Sequence, residues 1–109
     1  MSVFAVETYV VKPEKQIEYQ SLMQRLLEYK KQNPQLFKEV KSFGLFHQIF
    51  GGLAGAYIEM WEFDSMANLE KCWTKQPKDE GFMKIHKEFM LLIVPDTFSI
   101  NIWNAVEQV

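Results

Sequence analysis

Apolar and polar residues alternate in four stretches of this chain, and that spacing predicts four β-strands. The predicted strands are Val3–Val11, Val40–Phe50, Ala56–Phe63 and Thr97–Val106. Each is rich in β-branched and aromatic residues, which favour extended backbone. The glycine-rich residues 51–55 predict a turn that joins the second and third strands as a hairpin.

Between these strands, apolar residues recur at helical spacing in two regions. The first predicted helix spans about residues 13–32, and Pro13 suits its first turn. The second begins with a cap at Asp64 or Ser65 and runs to about Lys75. A break at residues 76–81 separates it from a further helical piece, Phe82–Val94.

The predicted order is therefore β-α-β-β-α-β, which is the ferredoxin-like α+β plan with its second helix in two pieces. A chain of 109 residues has room for one core, so residues 1–109 are predicted to form a single domain. This plan places both helical regions on one face of the sheet. The other face has no helices and has to be buried in another way.

The alternation within each strand also predicts which residues share a sheet face. We expect the purely apolar sets to meet the helices: Phe4, Val6, Val10, Ile58, Met60, Phe98, Ile100 and Ile102. The open face would then carry a mixture of aromatic and polar residues: Glu7, Tyr9, Glu59, Trp61, Asn101 and Trp103. A mixed face of this kind is typical of a half-wet cavity or interface. We therefore expect a homodimer in which two open faces pair and close a barrel.

Composition narrows the range of partners. The net charge is −2 and no basic run occurs, so nucleic acid is not an expected partner. No apolar run reaches membrane-spanning length, so no membrane association is expected. The only cysteine is Cys72, which excludes a disulfide framework and fits a reducing compartment. The default prediction is a cytoplasmic protein.

Two carboxylates are candidates for acid–base chemistry. Glu7 and Glu59 are predicted to share a face of neighbouring strands, where burial and mutual repulsion would raise the pKa of at least one of them. A carboxylate with a raised pKa could act as general base on an acidic phenol or enol. Alternatively, each could bond across an interface or reach solvent. No ligand spacing indicates a metal site.

His86 is a further candidate. It follows Phe82 by four residues and precedes Phe89 by three, which places it on or beside the apolar face of its helix. It could act as a base or ligate haem iron. Equally, it could be a half-buried histidine bonded to a neighbouring carbonyl or carboxylate.

The aromatic residues of the mixed face have two possible roles. Tyr9, Trp61 and Trp103 could stack on a flat aromatic ligand, with Asn101 as a polar contact. They could equally fill the core of the dimer interface.

Two short segments resemble a known group of proteins. Residues 6–13, which read VETYVVKP, resemble the strand-one signature of NIPSNAP-type proteins, and residues 58–67, IEMWEFDSMA, resemble their strand-to-helix junction. These proteins belong to the dimeric α/β-barrel superfamily. The chain departs from the usual pattern at Glu7, Glu14 and Phe63, where that family has Arg, Gly and Tyr.

The resemblance implies a ligand pocket between the sheet and the second helical region. The superfamily includes cofactor-independent monooxygenases and haem-degrading monooxygenases, and the latter use an Asn, a Trp and a His. Trp73 and His86 fall near the Trp and His positions, whereas Glu7 replaces the Asn.

Three functions are consistent with these features. The first is an enzyme or binding protein of the monooxygenase-like class, which holds an apolar or aromatic molecule without a cofactor. Glu7, Glu59 and His86 would supply its chemistry, and Tyr9, Trp61, Trp73, Trp103 and Asn101 would contact the ligand. The second is a non-catalytic homodimer. The third is haem binding or degradation through His86.

Overall fold

The computed structural model describes residues 1–107 and follows the predicted order of elements. The elements are β1 (Val3–Tyr9), α1 (Gln16–Gln32), β2 (Val40–His47), β3 (Tyr57–Phe63), α2 (Met66–Lys75), α3 (Glu80–Leu92) and β4 (Ser99–Asn104). Single 3₁₀ turns, Pro13–Lys15 and Gln76–Lys78, precede α1 and α3. The ferredoxin-like α+β prediction is confirmed.

The four strands form one antiparallel sheet in the order β2-β3-β1-β4. β1 and β3 are central, and β2 and β4 are the edges. The three helices lie on one face, so the molecule has two layers. The sheet of one chain is open and does not close into a barrel.

The two central strands fix the layout of the side chains. β1 and β3 pair so that Glu7 lies opposite Glu59 and Ala5 lies opposite Trp61. On the other side of β1, Glu7 also lies opposite Ile100 of β4. Directly paired residues point to the same face, so these residues from three strands share one surface.

Several strands are shorter than predicted because their flanking residues have other partners. The backbone N–H of Val10 donates to the Thr97 hydroxyl at 3.1 Å, outside the sheet ladder. That hydroxyl in turn donates to the Val94 carbonyl at 2.6 Å. These bonds end β1 at Tyr9 and delay the start of β4 to Ser99.

The helix starts follow from capping. The Ser65 hydroxyl accepts the backbone N–H of Asn68 at 3.2 Å, so Ser65 is the cap of α2. Asp79 accepts the backbone N–H of Phe82 at 2.8 Å and starts α3 in the same way.

Among the helices of residues 1–107, none has the length and apolar composition needed to cross a membrane.

The prediction of the two sheet faces is wrong for β1 and β3. The helices cover the face that carries Glu7 and Glu59, and the purely apolar set of Phe4, Val6, Ile58 and Met60 lies on the open face. The buried residues of the helix-covered face are Val3, Ala5, Tyr9, Glu59, Trp61 and Phe63. For β4 the prediction is confirmed, since Ile100 and Ile102 share the helix-covered face with Glu7 and Ala5.

This inversion has a physical reason. Both faces of β1 carry apolar residues, so alternation alone does not decide which of them the helices cover. Large aromatic side chains fill the space between sheet and helices, and the polar groups among them are hydrogen-bonded there. A carboxylate that has donors inside the protein does not have to face water.

A close contact joins α1 to the start of α3. The Tyr29 hydroxyl donates to Asp79, the cap of α3, and the Tyr29 ring lies over the backbone of Gly81. A methyl group at position 81 would lie 2.7 Å from two ring carbons of Tyr29. Gly81 is therefore required by the position of Tyr29, since an alanine would displace the ring.

We expect Gly81→Ala to lower the free energy of unfolding by ~1 kcal/mol, because displacement of Tyr29 outweighs the better helix propensity of alanine. In a Tyr29→Ala background the same substitution should be neutral or should stabilise by up to ~1 kcal/mol. Chemical denaturation of the four proteins of this cycle measures both effects. A loss of equal size in both backgrounds would contradict the proposed contact.

Candidate functional site

A cavity of about 480 Å³ lies between the helix-covered sheet face and the helices. The sheet contributes five residues to its lining, Glu7, Glu59, Trp61, Phe63 and Ile100, and Phe98 directly before β4 adds a sixth. Its opposite wall is mainly α3: Phe82, Met83, Ile85, His86 and Phe89. Met23 and Leu26 of α1, Trp73 of α2, and Gln76 and Pro77 complete it. The cavity is thus largely apolar, with two carboxyl groups on its sheet side.

Most of the predicted site residues meet in this cavity. Glu7, Glu59, Trp61, Trp73 and His86 all line it, although they come from four different elements. Their position between sheet and helices agrees with the pocket that the resemblance implied.

Three other predicted ligand contacts lie elsewhere. Tyr9 is fully buried behind Glu59 and supports it. Asn101 and Trp103 pair with Val6 and Phe4, so both point to the open face, away from the cavity. The prediction that these two residues share a sheet face with Glu7 is therefore wrong. Its cause is the inverted face assignment of β1.

Glu59 is a buried carboxylate with a donor on each oxygen. The Tyr9 hydroxyl donates to one oxygen, and the Trp61 indole N–H donates to the other at 3.0 Å. The Tyr9 hydroxyl also contacts the Tyr19 hydroxyl at 2.6 Å. Burial raises the pKa of Glu59, whereas the hydrogen bonds from Tyr9 and Trp61 oppose this by favouring the ionised form.

Tyr9 remains a donor because its own ionisation is strongly disfavoured. Burial raises the pKa of the Tyr9 phenol, and the charge of Glu59 raises it further. Tyr9 also contacts Phe89, with ring centroids 4.7 Å apart in an edge-to-face arrangement. The phenol is therefore held in place by packing as well as by its hydrogen bonds.

Glu7 lies directly opposite Glu59 and is half-buried. Side chains paired in this way have Cβ atoms about 4.5–5.5 Å apart. Burial, followed by repulsion from Glu59, raises the pKa of Glu7 to about 8. We call Glu7 and Glu59 the carboxyl pair.

The two members of the carboxyl pair have different surroundings. Two neutral donors point at Glu59 and stabilise negative charge there, whereas Glu7 faces the cavity beside it. The two donors therefore favour negative charge on Glu59, whereas burial and repulsion from Glu59 favour the protonated form of Glu7.

Aromatic packing fixes the cavity wall around Trp61. The ring centroids of Phe43 and Trp61 are 4.3 Å apart, and those of Phe37 and Trp61 are 6.2 Å apart in a stacked arrangement. Since the indole N–H is also bonded to Glu59, the Trp61 ring is held both by packing and by a hydrogen bond. This arrangement preorganises one side of the cavity.

His86 is solvent-exposed at the edge of the cavity. Its ring centroid lies 6.4 Å from that of Phe89, a wall residue. It can reach a ligand that extends toward solvent, while the carboxyl pair contacts the interior.

Sequence reasoning did not identify Tyr19 as part of the site. Its place in the first predicted helix indicates only a core residue, and its ring does lie in the core. A signal was present, because a buried tyrosine normally needs a partner for its hydroxyl.

Among residues 1–107, no group of three or more His, Cys, Asp and Glu side chains could hold a metal ion.

Comparisons with known proteins agree with this architecture. No protein-family model matches the chain, and a search of curated proteins gave no match. Solved structures do match, and they share the ferredoxin-like fold of this chain. A NIPSNAP family protein from Agrobacterium tumefaciens aligns with a TM-score of 0.74 and 19% identity, covering 98% of this chain and 95% of its own.

Two further structures extend this likeness. A protein from Caulobacter crescentus described as a candidate antibiotic biosynthesis monooxygenase has a TM-score of 0.70 and 19% identity, with 97% of this chain and 91% of its own covered. A conserved protein from Methanosarcina mazei has a TM-score of 0.70 and 17% identity, with coverage of 94% and 91%. The resemblance noted in the sequence is thus confirmed at the level of fold.

We expect Glu7→Gln to stabilise the protein in a pH-dependent way. Because the pKa of Glu7 is raised from 4.5 to about 8, the folded protein loses stability as pH rises between these values. Glutamine removes this loss, so the gain should be near zero below about pH 4.5 and greatest above about pH 8. Half-burial limits it to roughly 1–3 kcal/mol.

Denaturant unfolding across that pH range measures the gain. Glu70→Gln, which removes an exposed carboxylate of α2, is the matched control and should give a flat difference. A Glu7→Gln difference that is equally flat would show that Glu7 titrates normally.

Proposed function

We propose that the protein binds a small apolar or aromatic molecule in the cavity and exchanges a proton with it through Glu7. The observation that carries this proposal is a carboxyl pair facing an apolar cavity of about 480 Å³, a volume suited to a small organic ligand. A pKa near 8 suits Glu7 to proton transfer at neutral pH.

The chemistry that fits is removal of a proton from a weakly acidic C–H or O–H group. With a pKa of about 8, a minor fraction of Glu7 is ionised at neutral pH, and this form accepts the proton while the ligand becomes a carbanion or an enolate. Glu59 stays fixed by Tyr9 and Trp61 and keeps the proton on Glu7. A carbanion is the substrate form that reacts with dioxygen in the absence of a cofactor. This step would suit the monooxygenase activity for which the Caulobacter protein is named.

Haem binding through His86 has less support. Trp73 and His86 do line the cavity, as the resemblance to haem-degrading enzymes implied. However, the carboxyl pair makes the cavity acidic, and no Lys or Arg that could pair with the two propionates of haem is among the described lining residues. The residues that line the cavity therefore do not fit haem.

We also propose that the open face is covered by a second copy of the chain. Four strands contribute apolar side chains to it, including Phe4, Ile58 and Met60. Phe46 and Trp103 on this face are 53% and 52% exposed in the single chain. An apolar surface of this kind marks an interaction site.

Cys72 is buried and unpaired, which supports the predicted cytoplasmic location.

Filling the cavity tests the binding function. We expect 1-naphthol, an uncharged aromatic with one acidic O–H, to bind the wild type saturably in ligand-observed NMR. Met83→Trp enlarges a side chain of the cavity wall and should weaken binding by about tenfold or more. Lys84→Trp, at the adjacent exposed position of α3, should leave binding unchanged. Equal loss in both variants, or no saturable binding to the wild type, would contradict the proposal.

A charge on the open face tests the dimer. We expect the wild type to sediment as a dimer at micromolar concentration and Phe46→Asp to shift it to monomer, because a buried unpaired charge is costly. Leu91→Asp is the matched control, since Leu91 is an exposed apolar residue of α3, on the helical side. A wild-type monomer, or a dimer that Phe46→Asp leaves intact, would exclude pairing through this face.

A further inference from the structure

The charged groups of the cavity are of one sign. Glu7 and Glu59 are its acidic residues, and no Lys or Arg occurs among the described residues that line it. His86, the remaining titratable residue of the lining, lies at the exposed edge.

The hydrogen bonds of Glu59 solvate its carboxyl group without neutralising it. Its two hydrogen-bond donors, the Tyr9 phenol and the Trp61 indole, are uncharged groups. The five ion pairs found within residues 1–107 all involve other carboxylates. Buried carboxylates in proteins are normally paired with a cation. Here, Glu59 and Glu7 both line the cavity, so a cationic group of a bound ligand would lie beside them.

The walls of the cavity are also suited to positive charge. Trp61, Trp73, Phe82, Phe89 and Phe98 line the same space as the carboxyl pair. The face of an aromatic ring carries partial negative charge and attracts ammonium and guanidinium groups, Trp most strongly. Aromatic rings and carboxylates together are how proteins recognise organic cations, whereas they repel carboxylate and phosphate ligands.

We propose that the cavity selects ligands carrying one positive charge on an apolar aromatic framework, such as a protonated aromatic amine. This inference rests on the proposed binding function and names the class of ligand. The cation lies beside Glu59 and Glu7, and the aromatic framework packs against the tryptophan and phenylalanine rings.

Such a ligand also changes the state of Glu7. Glu59 lies opposite Glu7, the phenols of Tyr9 and Tyr19 lie behind Glu59, and His86 lies at the exposed edge of the same cavity. A cation between the carboxyl groups offsets their repulsion, which favours ionised Glu7. The Glu7 carboxyl then releases its proton to solvent, and the ammonium keeps its own. A cation therefore generates the base, whereas an uncharged ligand meets a protonated carboxyl group.

Three ligands with one framework test the selection. Calorimetric titration of the wild type at neutral pH compares 2-(1-naphthyl)ethylamine, 2-(1-naphthyl)ethanol and 3-(1-naphthyl)propanoate, which are cationic, uncharged and anionic. We expect the amine to bind at least about tenfold more tightly than the alcohol. The propanoate should bind most weakly. Titrations in buffers of different ionisation enthalpy should show release of up to about one proton per amine bound.

Two variants separate the roles of the carboxyl groups. Glu7→Gln should abolish proton release while a preference for the amine remains, because Glu59 keeps its charge. Glu70→Gln, which alters an exposed carboxylate outside the cavity, should behave as the wild type in both respects. Proton release that persists in Glu7→Gln would overturn the role given to Glu7.

The outcomes distinguish this inference from the function on which it rests. Equal binding of amine and alcohol, or tighter binding of the propanoate, would overturn cation selection and leave a binding cavity. Failure of all three to bind at millimolar concentration, together with failure of 1-naphthol, would overturn both.

Discussion

The buried carboxylate of Glu59 is the constraint around which this structure is organised. It lies on a central strand, beneath the helices, at a position where an unsatisfied charge would cost several kcal/mol. The hydroxyl of Tyr9 and the indole N–H of Trp61 meet its two oxygens. These donors come from two adjacent strands, so the sheet register that aligns them is also required for stability.

The same hydrogen bonds determine the character of the cavity. They favour negative charge on Glu59, and burial together with repulsion from Glu59 raises the pKa of Glu7. Because the aromatic residues that position Glu59 also form the cavity wall, the packing of the core and the chemistry of the cavity depend on the same side chains. A change in Trp61 would affect both.

The sequence by itself determined the elements and their order. Strand periodicity, the helical stripe of α1, the Ser65 cap and the break at Pro77 are local signals, and the structure confirms them. Element order then restricts the topology, and short segments around Tyr9 and Trp61 indicated the fold family. The candidate residues of the cavity were also present in the sequence, because Glu7 and Glu59 are unusual on otherwise apolar strands.

Only the tertiary structure decided which face of the sheet the helices cover. In β1 both faces are apolar, so the local pattern gives no preference, and the polar residues of β1 and β3 wrongly indicated the open face. The outcome depends on partners distant in sequence: Tyr9 and Tyr19 for Glu59, and α3 for the cavity wall. That is why Asn101 and Trp103 lie on the opposite face from Glu7. The satisfaction of a buried charge is a property of assembled side chains, and it cannot be read from one strand.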